Sequence, residues 1–325
     1  MEYAKLMFAA TLVGVVAVFL YYPPPEPSER LKKWARLGKF YMYKDFRIFY
    51  IDFEADPTDD STVICFHGFP TFSYDWTKIV DRLREKFGRV ILFDFLGYGF
   101  SDKPKSHDYL IMEQADIALG LLKFLRVNEV HILSHDYGDT VAQEVLARYN
   151  NGEDTQGIKL KSLCMLNGGI FPEIYYPRPV QKLLAVPYVG EILSRLSFYQ
   201  IFKRGFIDVF GPSTKPTEEE LQDFYAAMRY QDGNIVNSKL IDYITQRAKH
   251  KDRWVSAIQK AIVPVHMIYG PSDPVNPPQF IAHYKNTVPN PSIKVLDEAI
   301  GHYPQWEAPN EVMNSYAEFI DRLKK

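Results

Sequence analysis

The chain has 325 residues, of which 46% are apolar and 15% aromatic, enough for a sizeable core and too apolar for wholesale disorder. Its 38 basic residues are balanced by 40 acidic ones, so it has no basic footprint for nucleic acid. The two cysteines, Cys65 and Cys164, each lie inside an apolar run, which excludes a disulfide scaffold, and no Asn-x-Ser/Thr acceptor marks a glycosylated face.

In chain order, the first feature is Leu6–Tyr22, "LMFAATLVGVVAVFLYY", an uncharged run. As a helix it would be roughly 26 Å long, close to a thin bilayer core, and is expected to be an N-terminal transmembrane helix. The bulky residues and prolines after it argue against signal-peptide cleavage. Arg30, Lys32, Lys33, Arg36 and Lys39 follow it, against Lys5 before it, so the positive-inside rule predicts a cytosolic domain. Pro23, Pro24, Pro25 and Pro27 form a stiff spacer, so residues 1–30 are expected to serve as anchor and spacer.

Lys39–Glu54 reads as two alternating strands about a turn at Lys44-Asp45. Strands and helices then alternate. Strands are expected at Thr62–Phe66, Val90–Phe93, Val130–Leu133, Leu163–Leu166, Val265–Tyr269 and Ile293–Leu296. Helices are expected at Trp76–Glu85, Gln114–Leu125, Thr140–Tyr149, Pro278–Thr287 and Asn310–Leu323. This pattern predicts an α/β fold with a mostly parallel eight-stranded sheet covered on both faces, its chemistry beyond the carboxyl ends of the strands. Residues 170–260 break the alternation, being helical in flavour and dense in aromatics. They read as a helical cap inserted between strands six and seven of a core formed by 31–169 and 261–325.

"SHDYGD" (Ser134–Asp139) sits where a strand turns into a helix, with the small residues Ser134 and Gly138 two places before and after Asp136. That is the pattern of a nucleophile elbow, with an aspartate at the tip. Asp273, in "YGPSDPVNP", lies just past the strand Val265–Tyr269, and His302, in "GHYPQWEAP", just past the next one. Nucleophile, acid and histidine in that order, each at a strand end, match the chain order of an α/β-hydrolase triad. Taken singly, Asp136 could be a helix N-cap, Asp273 a turn residue and His302 a structural histidine. Their joint order, with "CFHGFP" ahead of them, is what favours the catalytic reading. The glycines of "GYGFSD" lack the third glycine and the helix start of a dinucleotide loop.

"HGFP" (His67–Pro70), "DFLGYGFSDKP" (Asp94–Pro104), "SHDYGD" and "GHYPQWEAP" resemble the epoxide hydrolase and haloalkane dehalogenase branch of the α/β-hydrolases. The resemblance extends over nearly the whole chain, taking in "RVILFD" and "NGGIFPE". It implies an endoplasmic-reticulum membrane protein of hydrolase type, single-pass, using no cofactor or metal. Asp136 would be the nucleophile, Asp273 the acid and His302 the base, with an oxyanion hole from the backbone N–H groups of Phe69 and Tyr137. Arg89, Val90, Ile91, Leu92, Phe93 and Asp94 would serve substrate recognition.

A carboxylate is ionised at neutral pH and suits attack at a saturated carbon, which yields an alkyl ester for His302 to hydrolyse. Attack on an ester would instead give a reactive anhydride. The expected substrate is therefore a hydrophobic small molecule, a lipid-derived epoxide or ester. Two departures stand out: "RWVSAI" puts Val255 where that branch has a ring-opening tyrosine, and Tyr137 stands where dehalogenases have a halide-binding tryptophan. The alternative from another class is a lipid- or protein-binding member of the fold with an idle triad.

Overall fold

The computed structural model describes residues 2–21, 23–54 and 58–324. Eight strands form one sheet: β1 (Lys39–Tyr43), β2 (Phe46–Glu54), β3 (Thr62–Phe66), β4 (Arg89–Phe93), β5 (Glu129–His135), β6 (Lys159–Leu166), β7 (Val265–Tyr269) and β8 (Ile293–Val295). Their spatial order is β1-β2-β4-β3-β5-β6-β7-β8. Because β2 pairs antiparallel with both β1 and β4 while the other pairings are parallel, β2 alone runs against the rest. This is the mostly parallel eight-stranded sheet that the alternating pattern predicts.

The central strands read as unbroken apolar runs because both faces are covered. Along β4, Val90 and Leu92 enter one core and Ile91 and Phe93 the other, the period-two alternation of a pleated strand. Helices Ile111–Phe124 and Tyr137–Asn151 cover the second face. Helices Val80–Lys86 and Pro309–Leu323 cover the first.

Between β6 and β7 the chain forms a helical layer that includes Pro179–Leu184, Tyr199–Ile207, Glu218–Arg229, Tyr243–Lys249 and Lys251–Gln259. Its aromatics are mostly glue between the layer and the sheet domain. Phe210 stacks on Tyr303 at 4.8 Å, Phe206 meets the same ring edge-on, and Phe224 packs against Trp306 at 5.0 Å. Contacts of this kind fix the layer over the carboxyl edge of the sheet.

One expectation about the N-terminus needs correcting. The helix Glu2–Tyr21 forms, but no helix among the described residues is long and apolar enough to cross a membrane. Glu2 and Lys5 occupy its start, leaving an uncharged stretch short of the roughly 20 apolar residues that a full span requires. The expected transmembrane helix is therefore not supported. The basic residues read as its flank instead sit on a second helix, Glu29–Leu37, whose Leu31 and Trp34 are buried. Ser28 caps that helix by accepting from Leu31 N, and donates its own hydroxyl to Asp223 at 2.7 Å. Arg30, Lys32, Lys33 and Arg36 lie on this docked helix.

Candidate active site

Asp136 directly follows β5 with φ 49° and ψ −105°, a strained conformation for a residue with a Cβ. The turn has room because the residues two places before and after it, Ser134 and Gly138, are small. A Cβ on Gly138 would lie 2.3 Å from the Phe66 carbonyl oxygen, so only glycine lets the helix start this close to β3. The N-cap explanation of Asp136 fails, since its side chain makes no capping hydrogen bond. Oδ1 instead accepts from the backbone N–H of Phe69 at 3.0 Å. Tyr137 opens the helix, where a backbone N–H has no intrahelical acceptor. Ser134 is fully buried in β5 and donates weakly to the Cys164 carbonyl, so its hydroxyl does not serve the elbow tip.

The loop carrying Phe69 is held from several sides. His67 Nε2 accepts from Phe95 N at 3.0 Å, which leaves Nδ1–H to donate to the Gly68 carbonyl at 2.9 Å. Burial pushes the His67 imidazole down to about 3, consistent with a neutral ring in that role. Tyr303 donates to the Phe69 carbonyl at 3.2 Å. Behind it, Asp94 Oδ1 accepts from Ser73 N and Oδ2 from Phe100 N, while Gly99 (φ +48°) leaves room for that carboxylate. The "DFLGYGFSDKP" segment is thus the buttress of the "HGFP" loop.

His302 follows β8 and Asp273 follows β7. His302 Nδ1–H donates to Asp273 Oδ2 at 2.8 Å, and Nε2 stands 3.5 Å from Asp136 Oδ2. The structure therefore brings Asp136, Asp273, His302 and Phe69 N together in one buried cluster. Asp273 is itself well held: Val275 N donates to Oδ1, and the amides of Asn167 and Asn276 donate to Oδ2, both at 2.9 Å. His135 Nε2–H donates to the His302 carbonyl at 2.8 Å, fixing the histidine's backbone.

Burial works against ionisation of both partners, yet their charges overcome it. Asp136 is held below the usual carboxylate range because His302, and then Arg247 and His135, outweigh desolvation. His302 is raised to about 10, since Asp273 and Asp136 outweigh the burial penalty on its cation. Both shifts favour a charged row in which the Asp136 carboxylate faces the His302 imidazolium.

Sequence reasoning did not single out Arg247. It is buried (3% exposed), donates from Nη2 to the Asp136 carbonyl at 3.0 Å and from Nε to Thr140 Oγ1 at 2.6 Å. Nη2 also lies 4.0 Å from Asp136 Oδ2. Its guanidinium covers the rings of Tyr243 (4.6 Å) and Tyr175 (5.2 Å), whose hydroxyls are 3.1 Å apart. Tyr243 also packs against Phe69 and Tyr137, the two residues of the expected oxyanion hole. Val255 sits on the following helix, buried in the same core as Trp254 and Ile258. Asn167 and Asn276 were likewise missed; only the "NGG" and "DPVN" turn chemistry hinted at them.

From His302, Phe69 and Tyr303 a narrow cleft of about 100 Å³ runs outward beneath the cap. Its walls include Val180, Leu184, Phe202, Phe206 and Val209, with Arg178, Gln181, Ser197 and Asn237 as its polar members on the cap side. The segment Arg89–Asp94 does not reach it. Val90, Ile91, Leu92 and Phe93 are wholly buried within the sheet, and Asp94 holds the loop contacts described above. Arg89 lies at the strand's opposite end, paired with Asp52 through Nε (2.8 Å) and Nη2 (2.7 Å).

Comparison with known proteins agrees with this architecture. Residues 61–309 match the family model described as alpha/beta hydrolase fold. The chain is 48% identical over 313 residues to the mesoderm-specific transcript protein of Mus musculus, covering 95% of this chain and 93% of that protein; the Homo sapiens homolog matches equally. A putative hydrolase, LipZ, of Mycobacterium tuberculosis is 31% identical over 90% of this chain and 96% of its own. Among solved structures, the haloalkane dehalogenase DatA of Agrobacterium tumefaciens has a TM-score of 0.73 at 18% identity, covering 88% of this chain and 96% of its own, a likeness of fold. On these grounds the chain, a relative of the mesoderm-specific transcript proteins, belongs to the α/β-hydrolase fold family.

Proposed function

We propose that this protein is a hydrolase that opens a hydrophobic epoxide in two steps through Asp136. The observation that carries the reading is the division of labour between the two oxygens of that carboxylate. Oδ1 is held by Phe69 N, while Oδ2 faces His302 and Arg247 and is the one left to attack.

In the first step Oδ2 forms a bond to an epoxide carbon and the carbon–oxygen bond breaks. The electron pair goes to the ring oxygen, which takes a proton from the Tyr175–Tyr243 pair. That pair fills the part that Val255 leaves open. Once the ester has formed, His302 passes its proton to the tyrosinate and becomes a neutral base. Water then attacks the ester carbon of Asp136, His302 takes its proton, and charge develops on Oδ1, where the backbone N–H groups of Phe69 and Tyr137 would stabilise it. Collapse breaks the bond from the ester carbon to Oδ2, and the leaving alkoxide takes the proton of the new carboxyl group, so the diol departs with Asp136 ionised and His302 protonated as at the start.

The raised pKa of His302 fits this order. While Asp136 is ionised, His302 stays protonated beside it and cannot act as a base. Esterification removes the Asp136 charge, so the imidazole loses one of its two anionic partners and can take a proton from water. An ester substrate would use the same groups less well, because attack by Asp136 would leave an anhydride.

The test is accumulation of the intermediate. His302→Gln incubated with a medium-chain terminal alkyl epoxide should gain the mass of the epoxide on the Asp136 peptide. Asp136→Asn should gain none. An unmodified Asp136 peptide, with product formed by wild type, would mean that water attacks the epoxide directly.

A further inference from the structure

We propose that Arg247 is a positioning residue that locks the elbow and supplies the fixed positive charge across which negative charge moves from Asp136 to the leaving oxygen. This deepens the epoxide reading and rests on it.

Three observations converge. The first is reach: one guanidinium bonds the Asp136 carbonyl, the Thr140 hydroxyl one turn further on, and approaches the attacking oxygen Oδ2 to 4.0 Å. A fork spanning the elbow tip and the helix behind it fixes where Oδ2 points. The second is placement against the acid pair. The same group lies over the faces of Tyr175 and Tyr243, so it is close both to the carboxylate that loses charge and to the hydroxyls that meet the new alkoxide. The third is the space made for it. A Cβ on Gly169 would stand 2.2 Å from Nη1 and 2.6 Å from the Tyr175 ring, so glycine at this position admits the guanidinium. Nη1 has no hydrogen-bond partner although it is buried, and it is the donor left over when the other two nitrogens are engaged.

The charge bookkeeping follows from the reaction. Before attack, the carboxylate is the near anion of Arg247. As the Oδ2–carbon bond forms, that charge disappears and an equal charge grows on the ring oxygen, before a tyrosine proton quenches it. A cation between the two locations keeps a counter-ion throughout, with no solvent to reorganise. Burial pushes the Tyr175 hydroxyl up to about 12, and Arg247 is the foremost group opposing that rise, which eases the proton transfer.

The experiment measures the first half-reaction alone, in the His302→Gln background with the alkyl epoxide. Arg247→Gln should slow adduct formation about 100-fold, the scale for loss of one preorganised charge-stabilising group. It should also bring an acid limb into the pH profile at higher pH, because Asp136 loses a cation that keeps it ionised. The other titratable groups facing Asp136, namely His302, His135, His67, Asp139 and Tyr98, Tyr137, Tyr175, Tyr243 and Tyr303, do not differ between the two proteins compared, beyond the shared His302 change. Arg247→Lys, which keeps charge and loses the fork, should retain the limb's position and recover part of the rate. Gly169→Ala crowds the guanidinium without deleting it and should slow the step less, which covers an Arg247→Gln protein that does not fold. Equal adduct rates and equal acid limbs across these variants would overturn the proposal. No adduct even with Arg247 intact would instead overturn the nucleophile reading beneath it.

Discussion

The two ends of the sheet make opposite use of polar residues. At the amino ends of the strands lies an open hollow of about 810 Å³, lined by Arg89, Glu129, His131 and Lys161 among others. At the carboxyl ends lies the cleft of about 100 Å³ that leads to His302. Volume and charge count alone would favour the hollow. Yet several of its charges are already paired: Arg89 with Asp52, and Glu129 with Lys159 and Lys161. The exposed Glu129 pairs contribute little, while the partly buried Arg89 pair ties strands together. The small cleft instead reaches His302, behind which lie the buried Asp136 carboxylate and Arg247 guanidinium, groups whose mutual charges oppose their own desolvation. What distinguishes the candidate active end is a cluster of buried charges that sustain one another at a strained turn.

The strongest way to break this comparison is at Asp136. Asp136→Asn should lower turnover about 10⁴-fold or more, since an amide is a far weaker nucleophile and no ester can form. Single-turnover kinetics with the alkyl epoxide would measure it. A residual rate within tenfold of wild type would remove the chemistry from this end of the sheet.

Next in size is the effect on His302. Its imidazole should titrate near 10 in wild type and clearly lower in Asp136→Asn, where one anionic partner is gone. The folded-state value lies above the ordinary 6.5, so the stabilisation it brings is complete below about pH 6.5 and is lost as pH rises through about 10. Thermal melts should therefore show wild type losing more stability than Asp136→Asn between those pH values. Imidazole resonances from nuclear magnetic resonance give the titration directly, and a wild-type midpoint near 6.5 would contradict the charged row.

A smaller effect is expected behind the triad. Asn167→Leu removes the amide that joins Asp273 to the Gly270 and Gly301 carbonyls and accepts from Gly270 N. It should slow hydrolysis of the Asp136 ester by about 10- to 100-fold through a misplaced His302, while adduct formation changes much less. The buried groups left unpaired should cost about 1–3 kcal/mol of stability. Equal slowing of both half-reactions would show that Asn167 supports the elbow as much as the base.

The sequence made the ends of the sheet legible to different depths. β3, β7 and the order Asp136, Asp273, His302 could be read locally, because each rests on a short apolar run followed by a turn. Arg247 could not, since it lies 111 residues from the carbonyl it binds, inside "TQRAKH", which looks like a solvated helix face. The helix Glu29–Leu37 was readable from its Ser28 cap, but its basic face had already been assigned to a membrane flank. "RVILFD" shows the converse case: its apolar run marks a strand of the core, and the resemblance that implied a substrate role says nothing of which end of the strand faces the cleft.

That segment offers the finest test of the comparison, because one strand connects the two ends. Arg89 makes a two-point pair with Asp52 and donates to the Leu125 carbonyl at 3.0 Å, tying β4 to β2 and to the end of the helix Ile111–Phe124. Both side chains are half-buried, at 21% and 11% exposure, so removing one leaves the other carboxylate partly desolvated. Arg89→Gln should therefore cost about 2 kcal/mol in denaturant unfolding. At the cleft nothing it touches changes: Val90 to Phe93 remain fixed by both cores, and Asp94 keeps its bonds to Ser73 N and Phe100 N. Adduct formation and its hydrolysis should then each stay within about threefold of wild type, the scatter expected for a change remote from the reacting atoms. A selective loss of rate for longer-chain epoxides, with stability unchanged, would restore the substrate-recognition role to this strand and dissolve the contrast between the two ends.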